Sequence, residues 1–103
     1  MNADPGNLSY TLPRLSGLHN LSGAKLARLL GVSTQYVWML MNGERQPTDD
    51  RVLEIAGIFG IDPHRLANAP FEELLQAELA DPVRYRETEE RIAKLERAQR
   101  SRG

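Results

Sequence analysis

One stretch of twenty residues, at positions 23–42, constrains the fold of this chain more than any other: GAKLARLLGVSTQYVWMLMN. Its first half carries apolar residues at the spacing of one helical face, namely Leu26, Ala27 and Leu30. Gly31 follows directly, and glycine adopts the left-handed conformation of a helix C-cap without steric cost. Ser22, directly before the stretch, and Ser33, two residues after Gly31, are of a residue type that caps helix N-termini. The stretch therefore predicts two helices joined by a tight turn.

The second of these helices is predicted to have an inner and an outer face. Val37, Leu40 and Met41 share the inner face, and the helix is expected to end at Gly43. Because Ala27 is small and Val37 is β-branched, the two helices can cross closely at a steep angle. This is the helix-turn-helix arrangement, which presents its second helix to a DNA groove.

Composition argues against several other classes of function. The 103 residues suit one domain, and their formal net charge of −1 is not that of a general polyanion binder. Without cysteine the chain cannot form a disulfide or a thiolate metal site. Its two histidines, His19 and His64, lack the spacing of metal ligands, so no metal and no cofactor is expected. No base, nucleophile and orienting group converge in the sequence, so we do not expect an enzyme.

Hydropathy gives an expectation about location. No apolar run reaches the length that a membrane span needs, and no segment resembles a signal peptide. We therefore expect no membrane partner and a cytoplasmic protein, associated with the nucleoid when it is bound to DNA.

Capping residues predict the helices on either side of the motif. Thr11 is expected to cap a short helix with Pro13 in its first turn, and Thr48 to cap a helix after the motif. Asp62 and Pro63 predict the start of a further short helix. The inner face of the helix after Thr48 is predicted to be Val52, Ile55, Ala56 and Phe59. Strand signals are absent, so the predicted fold class is all-α.

Two helices are predicted in the C-terminal part. The inner face of the first is predicted to be Phe71, Leu74, Leu75 and Leu79. The second starts at Asp81-Pro82 and runs to about Gln99. We divide the chain into a flexible N-terminus at residues 1–9, a helix-turn-helix domain at residues 10–68, and a C-terminal helical extension at residues 69–103.

A narrow stripe marks the last helix. Its members, at alternating steps of three and four, are Tyr85, Thr88, Ile92, Leu95 and Gln99. This two-heptad seam has three interpretations: a dimer contact through Tyr85, Ile92 and Leu95, packing against its own domain, or a solvated tail. The dimer contact is the preferred one.

Residues 21–66 resemble a Cro/lambda-repressor-type helix-turn-helix domain, the XRE group of regulators. The matching residues in and after the motif are Leu26-Ala27, Leu30-Gly31-Val32-Ser33, Val37, Leu40, Asn42-Gly43, Arg45 and Pro47. Those in the next helix are Val52-Leu53-Glu54-Ile55-Ala56 and Phe59-Gly60-Ile61-Asp62. The resemblance implies a lambda-repressor-like helical bundle that binds double-stranded DNA. In layout, the C-terminal extension is similar to the EspR-type regulators of actinobacteria, whose C-terminal helices form the dimer.

The resemblance implies that the outer face of helix 33–42 enters the major groove. The implied DNA-binding residues are Thr34, Gln35, Tyr36, Trp38, Met39, Asn42, Arg45, Lys25 and Arg28. Among them Gln35 is chemically the best base reader, because its amide can pair with the N6 and N7 atoms of adenine. Asn42 and Arg45 are expected to contact phosphates and so to fix the register of the protein on DNA.

The sequence departs from the family pattern in two ways. The family usually has a glutamine at Gly23, where it braces the second helix and binds a phosphate. Trp38 and Met39 stand where polar residues are usual, and an exposed pair of this kind also suits a protein-binding surface. The alternative is that Trp38 folds back onto Tyr10 or the first leucines and is part of the core.

Charge distribution predicts that two copies are needed. Residues 23–47 hold three basic and one acidic side chain, residues 48–81 two basic and eight acidic, and residues 82–103 seven basic and four acidic. So few cations near the motif predict weak binding by one copy. We therefore expect a homodimeric, sequence-specific DNA-binding regulator, most simply a bacterial or phage repressor. The alternative is a protein-interaction module or antitoxin that binds a protein partner through Trp38 and Met39.

Overall fold

The computed structural model describes residues 8–102, and the side chains of residues 8–99. In this range the chain forms helices only, so the all-α prediction is confirmed. The seven helices are α1 (Leu8–Leu18), α2 (Gly23–Leu30), α3 (Thr34–Met41), α4 (Asp49–Phe59), α5 (Pro63–Asn68), α6 (Phe71–Ala80) and α7 (Pro82–Arg102). No helix within residues 8–102 has the length and apolar character that crossing a membrane requires.

Helix α1 begins earlier than the sequence predicts. Most of the N-terminal segment predicted to be flexible, residues 1–9, lies outside the described residues, but its last two residues open α1. Thr11 is fully buried inside the helix, so its prediction as an N-cap is wrong. The cause is the buried stripe of Leu8, Leu12 and Leu15, whose i, i+4, i+7 spacing favours a helix that starts upstream of Pro13.

Local capping signals in the motif are confirmed. The Ser22 and Ser33 hydroxyls accept hydrogen bonds from the amides of Lys25 (3.1 Å) and Tyr36 (3.0 Å), so they cap α2 and α3. Gly31 is left-handed at φ 71°, as the C-cap of α2. Each of these interactions joins residues that are close in sequence, and for this reason the sequence alone reveals them.

Helices α4 and α5 also follow their capping signals. Thr48 caps α4 by accepting from the Arg51 amide at 3.2 Å, and Asp62 caps α5 by accepting from the Arg65 amide at 3.1 Å. Ile55, with Ala56 and Phe59, is buried in the core, while Val52 packs against it half-buried. The predicted inner face of α4 is confirmed.

Helix α6 contradicts part of its predicted inner face. Leu74 is buried, and Phe71 and Leu75 are half-buried, but Leu79 is 61 % exposed. Glu78, only 1 % exposed, takes the inner position instead. The prediction failed because it assumed that a carboxylate is not buried, whereas the Glu78 carboxylate has polar partners in the core.

Those partners come from α7 and from the turn after α1. Arg84 Nε donates to Glu78 Oε1 at 3.1 Å, and the His19 Nε2 atom lies 3.6 Å from Glu78 Oε2. His19 Nδ1 lies 2.6 Å from a carboxylate oxygen of Glu89. The His19 ring stacks on Tyr85, with ring centroids 4.8 Å apart. A polar cluster thus joins the start of α7 to α1 and α6.

Helix α7 packs along α2, α4 and α6 of its own chain. Thr88 and Ile92 are buried, and Leu95 packs half-buried against the core. The Tyr85 hydroxyl donates to the Leu18 carbonyl oxygen at 3.0 Å. The predicted seam therefore packs against its own domain, which is the second of the three interpretations. Dimerisation through Ile92 would require α7 to leave this position.

Candidate nucleic-acid interface

The N-terminal half of α3 presents the best predicted base reader to solvent. Ser33 fixes the start of the helix through its hydrogen bond to the Tyr36 amide. Thr34 and Gln35 follow in the first turn, and both are exposed. Val37 and Leu40, on the opposite side, are buried against the rest of the domain. The helix is therefore anchored by one face while the other remains open to a ligand.

Trp38 lies on this open face. Its side chain is 58 % exposed, so the alternative that it belongs to the core is wrong. Tyr10, its expected core partner, instead packs edge-on against Phe71 with centroids 6.4 Å apart. The Trp38 Nε1 atom lies 3.8 Å from the point that a Cβ at Gly23 would occupy. The indole thus lies beside Gly23, one of the positions at which the sequence departs from the pattern that it resembles.

The segment after α3 is held by its own backbone. Asn42 is exposed and ends the helix, and Gly43 turns the chain with φ 76°. The amides of Glu44 and Arg45 both donate to the Met39 carbonyl oxygen, at 2.9 and 3.3 Å. Met39 itself is half-buried, so its side chain is less available than the sequence prediction assumed. Arg45 is exposed at the edge of the α3 face.

Tyr36 links this edge to α4. The guanidinium carbons of Arg45 and Arg51 lie 5.8 and 5.4 Å from the centroid of its half-buried ring. Sequence reasoning missed Arg51. The one available signal was its place in the first turn of α4, three residues before Glu54. That spacing predicts an ion pair but not a contact with a tyrosine fifteen residues earlier.

Lys25 and Arg28 are placed differently from the other predicted residues. They line a groove of about 250 Å³ between α2 and α7, together with Leu29, Glu96 and Gln99. Lys25 Nζ lies 3.2 Å from a Glu96 carboxylate oxygen. Its charge is therefore compensated by α7, whereas Arg28 is exposed at the same groove. Both α2 cations thus lie at the groove beside α7, and Lys25 is paired there with Glu96.

The described residues offer no metal centre, since no group of three or more candidate ligand side chains is suitably clustered among them. The chemistry available at the α3 face is hydrogen bonding, cation attraction and apolar contact. These are the means by which proteins bind nucleic acid or another protein.

Comparison with known families identifies the family of the helix-turn-helix domain. A helix-turn-helix family model, HTH_3, matches residues 14–66, which run from the middle of α1 to α5. The chain belongs to this XRE-type family of DNA-binding regulators. No curated protein and no solved structure matches the chain.

The match to the XRE-type family covers all of α2, α3 and α4 and leaves α6 and α7 outside. The resemblance of these last two helices to EspR-type regulators is not confirmed. The division at residue 68 stays a prediction, although the match ends close to it, at residue 66.

Proposed function

We propose that this protein is a sequence-specific transcriptional regulator that places α3 in the major groove of DNA. The observation that carries the proposal is the exposed first turn of α3, with Thr34 and Gln35 open to solvent on a helix whose other face is buried. A helix presented in this way fits the width of the major groove. Membership of the XRE-type family supports it independently.

Within this proposal the residues of the face have different roles. Gln35 reads an adenine through its amide, a contact that discriminates by about 1–3 kcal/mol. Thr34 and Trp38 contact neighbouring bases, the indole through a thymine methyl group. Asn42 and Arg45 bind phosphates and fix the register. The remaining predicted contacts are Tyr36 and Met39 at the edges of α3, and Lys25 and Arg28 on α2.

We further propose that the regulator acts as a homodimer. Arg45 and Arg28 are the exposed cations of residues 23–47, and so few phosphate contacts give one copy little affinity. Because α7 packs against its own chain, Ile92 is inaccessible to a second copy, and only the half-buried edges of Tyr85 and Leu95 reach the surface. The large apolar side chains exposed near the α6–α7 junction are Leu79 and Val83. We therefore place the dimer contact at this junction rather than at Tyr85, Ile92 and Leu95, which face the core of their own chain.

The dimer contact is tested by sedimentation. Leu79→Glu together with Val83→Glu is expected to shift the protein from dimer to monomer, because it places like charges at the twofold contact. Leu53→Glu is a matched control, since Leu53 is similarly exposed at 55 % but lies on α4. A monomer at every concentration for the unaltered protein, or equal effects of the control, would contradict this placement. Deleting α7 is not a useful test, because it would remove Ile92 from the core.

The proposed direction of regulation is repression. A dimer bound over a promoter excludes other proteins sterically and needs no additional contact surface. A reporter gene whose promoter carries the bound sequence is expected to be expressed less when the protein is present. Increased expression would instead indicate an activator.

Sequence preference is tested by selection from a random duplex pool, followed by fluorescence anisotropy. Gln35→Ala is expected to lower discrimination at one base pair and to leave the affinity for random duplexes almost unchanged. Gln46→Ala is the matched control, because Gln46 is exposed in the connector after α3. Arg45→Ala is expected to weaken binding to all sequences alike.

A second candidate function has one observation in its favour, which is the exposure of Trp38. Exposed tryptophans are enriched at the centres of protein interfaces. A protein-interaction module or antitoxin would use Trp38 and Met39 to bind a protein partner. If selection recovers no preferred duplex, while Trp38→Ala abolishes co-purification of a defined host protein, this second function replaces the first.

A further inference from the structure

Two arginines from different elements lie near one tyrosine ring at the edge of α3. The guanidinium carbons of Arg45 and Arg51 lie 5.8 and 5.4 Å from the centroid of the Tyr36 ring. Both distances fall within the range of about 6 Å in which a cation is attracted to an aromatic ring. Tyr36 is half-buried in the first turn of α3, where Ser33 caps its amide. The ring is therefore a fixed platform beside the proposed DNA-reading face.

Arg51 has partners other than this ring. Its Nη1 atom donates to Glu54 Oε1 at 2.6 Å and to the Leu30 carbonyl oxygen at 3.4 Å. Leu30 is the last residue of α2, and Arg51 lies in the first turn of α4. The Arg51 guanidinium group thus connects the end of α2 and the start of α4 to the Tyr36 side chain at the start of α3. Its charge is compensated by Glu54.

Arg45 is held in a different way. It is exposed, and within residues 8–99 no carboxylate forms an ion pair with it. Its described side-chain contact is with the Tyr36 ring. An arginine on a flexible side chain loses rotational freedom when it binds a phosphate, and prior contact with a ring reduces that loss.

We propose that Arg51 is a positioning residue for DNA binding that acts through Tyr36. Arg51 holds the ring, and the ring holds the uncompensated guanidinium group of Arg45 where it meets a backbone phosphate beside the major groove. This inference rests on the proposed function, because it concerns how that same face binds DNA. It assigns to Arg51 a role in orientation, with the phosphate contact itself made by Arg45.

A double-mutant cycle tests the coupling between Arg51 and Arg45. The probe is a fluorescein-labelled pool of random-sequence duplexes, since phosphate contacts do not depend on sequence. Arg51→Gln is expected to weaken binding about two- to fivefold, the equivalent of one exposed cation–aromatic contact. In the Arg45→Gln background the same substitution should have almost no effect, because the group that it positions is gone. Arg45→Gln alone should lower the salt slope by about 0.9.

Matched variants separate positioning from general stability. Tyr36→Phe keeps the ring, so the coupling between Arg51 and Arg45 should persist in that background, whereas Tyr36→Leu should reproduce the loss seen with Arg51→Gln. Arg65→Gln is the control for losing a paired arginine, since Arg65 pairs with Glu73 at 2.9 Å on the α5–α6 side. Should Arg51→Gln fail to fold, the two Tyr36 variants complete the cycle with Arg45→Gln.

Each outcome supports or overturns the proposal. If Arg51→Gln weakens binding equally with Arg45 and in the Arg45→Gln background, or if Tyr36→Leu binds normally, the role of Arg51 is overturned while the proposed function stays intact. An unaltered protein that binds no duplex overturns the proposed function, and this inference falls with it. In the free protein, the Arg45 side-chain protons should show a ring-current shift in the NMR spectrum that Arg51→Gln reduces. The absence of that shift also overturns the proposal.

Discussion

Replacing Ile92 with alanine tests the packing of α7 most sharply. Ile92 is 6 % exposed and lies in the core cluster, although α7 as a whole is strongly polar. Truncating a buried isoleucine removes about 2–5 kcal/mol of stability, through lost transfer energy and the cavity left behind. Because Ile92 lies at the edge of the core, we expect about 2–3 kcal/mol. For a domain of this size, that lowers the melting temperature by about 10–20 °C.

The assay is urea denaturation followed by circular dichroism at two protein concentrations, with Lys94→Ala as the control. Lys94 lies on the same helix but is exposed, and such surface changes are within about 0.5 kcal/mol. We expect the loss for Ile92→Ala to be the same at both concentrations. A loss as small as that of the control, or one that grows on dilution, would refute packing within one chain and favour the dimer seam or the solvated tail.

Three further variants test local details. Gly60→Ala should destabilise the protein by about 1 kcal/mol or more, because Gly60 has φ 66° and its added Cβ would lie 2.8 Å from Arg91 Nη1. Gly57→Ala should stabilise the protein by about 0.5–1 kcal/mol, because nothing lies within 4 Å of its added Cβ. Chemical denaturation of both variants measures these changes, and equal effects would contradict the prediction. Tyr85→Phe should remove a pH dependence of the free energy of unfolding. Burial and the nearby Glu89 carboxylate raise the pKa of Tyr85 above 10.0, so this tyrosine ionises first in the unfolded chain, and stability falls as the pH rises above that value. Denaturation of both proteins across this alkaline range checks the sign, and a parallel decline would contradict it.

Capping interactions and helix faces were predictable from the sequence because they depend on neighbouring residues. The caps at Ser22, Ser33 and Thr48, and the left-handed Gly31, follow from residue type together with the apolar pattern beside it, whereas Thr11 is not a cap because the buried stripe of α1 begins upstream of it. The stripe on α7 was also predicted, but its partner was not. Periodicity determines which side of a helix is apolar, and it contains no information on whether the same chain or a second copy covers that side.

The error on α6 and the omission at the candidate site both arise from contacts between distant residues. Glu78 replaces Leu79 on the inner face of α6 because Arg84 and His19 meet it there. A prediction from residue types excludes a buried carboxylate whose partners lie on other elements. At the candidate site, the exposure of Thr34, Gln35 and Asn42 was predicted, while the half-burial of Met39 and the contact of Arg51 with Tyr36 were missed because they depend on how neighbouring elements pack.

The central claim, that α3 reads DNA sequence, is tested most directly by one ratio of dissociation constants. Fluorescence anisotropy would compare the duplex recovered by selection with a scrambled duplex of the same composition, at two salt concentrations. We predict a preference of at least about tenfold at both, which Gln35→Ala reduces and Gln46→Ala does not. A ratio below about tenfold for the unaltered protein, at either salt concentration, would contradict the claim.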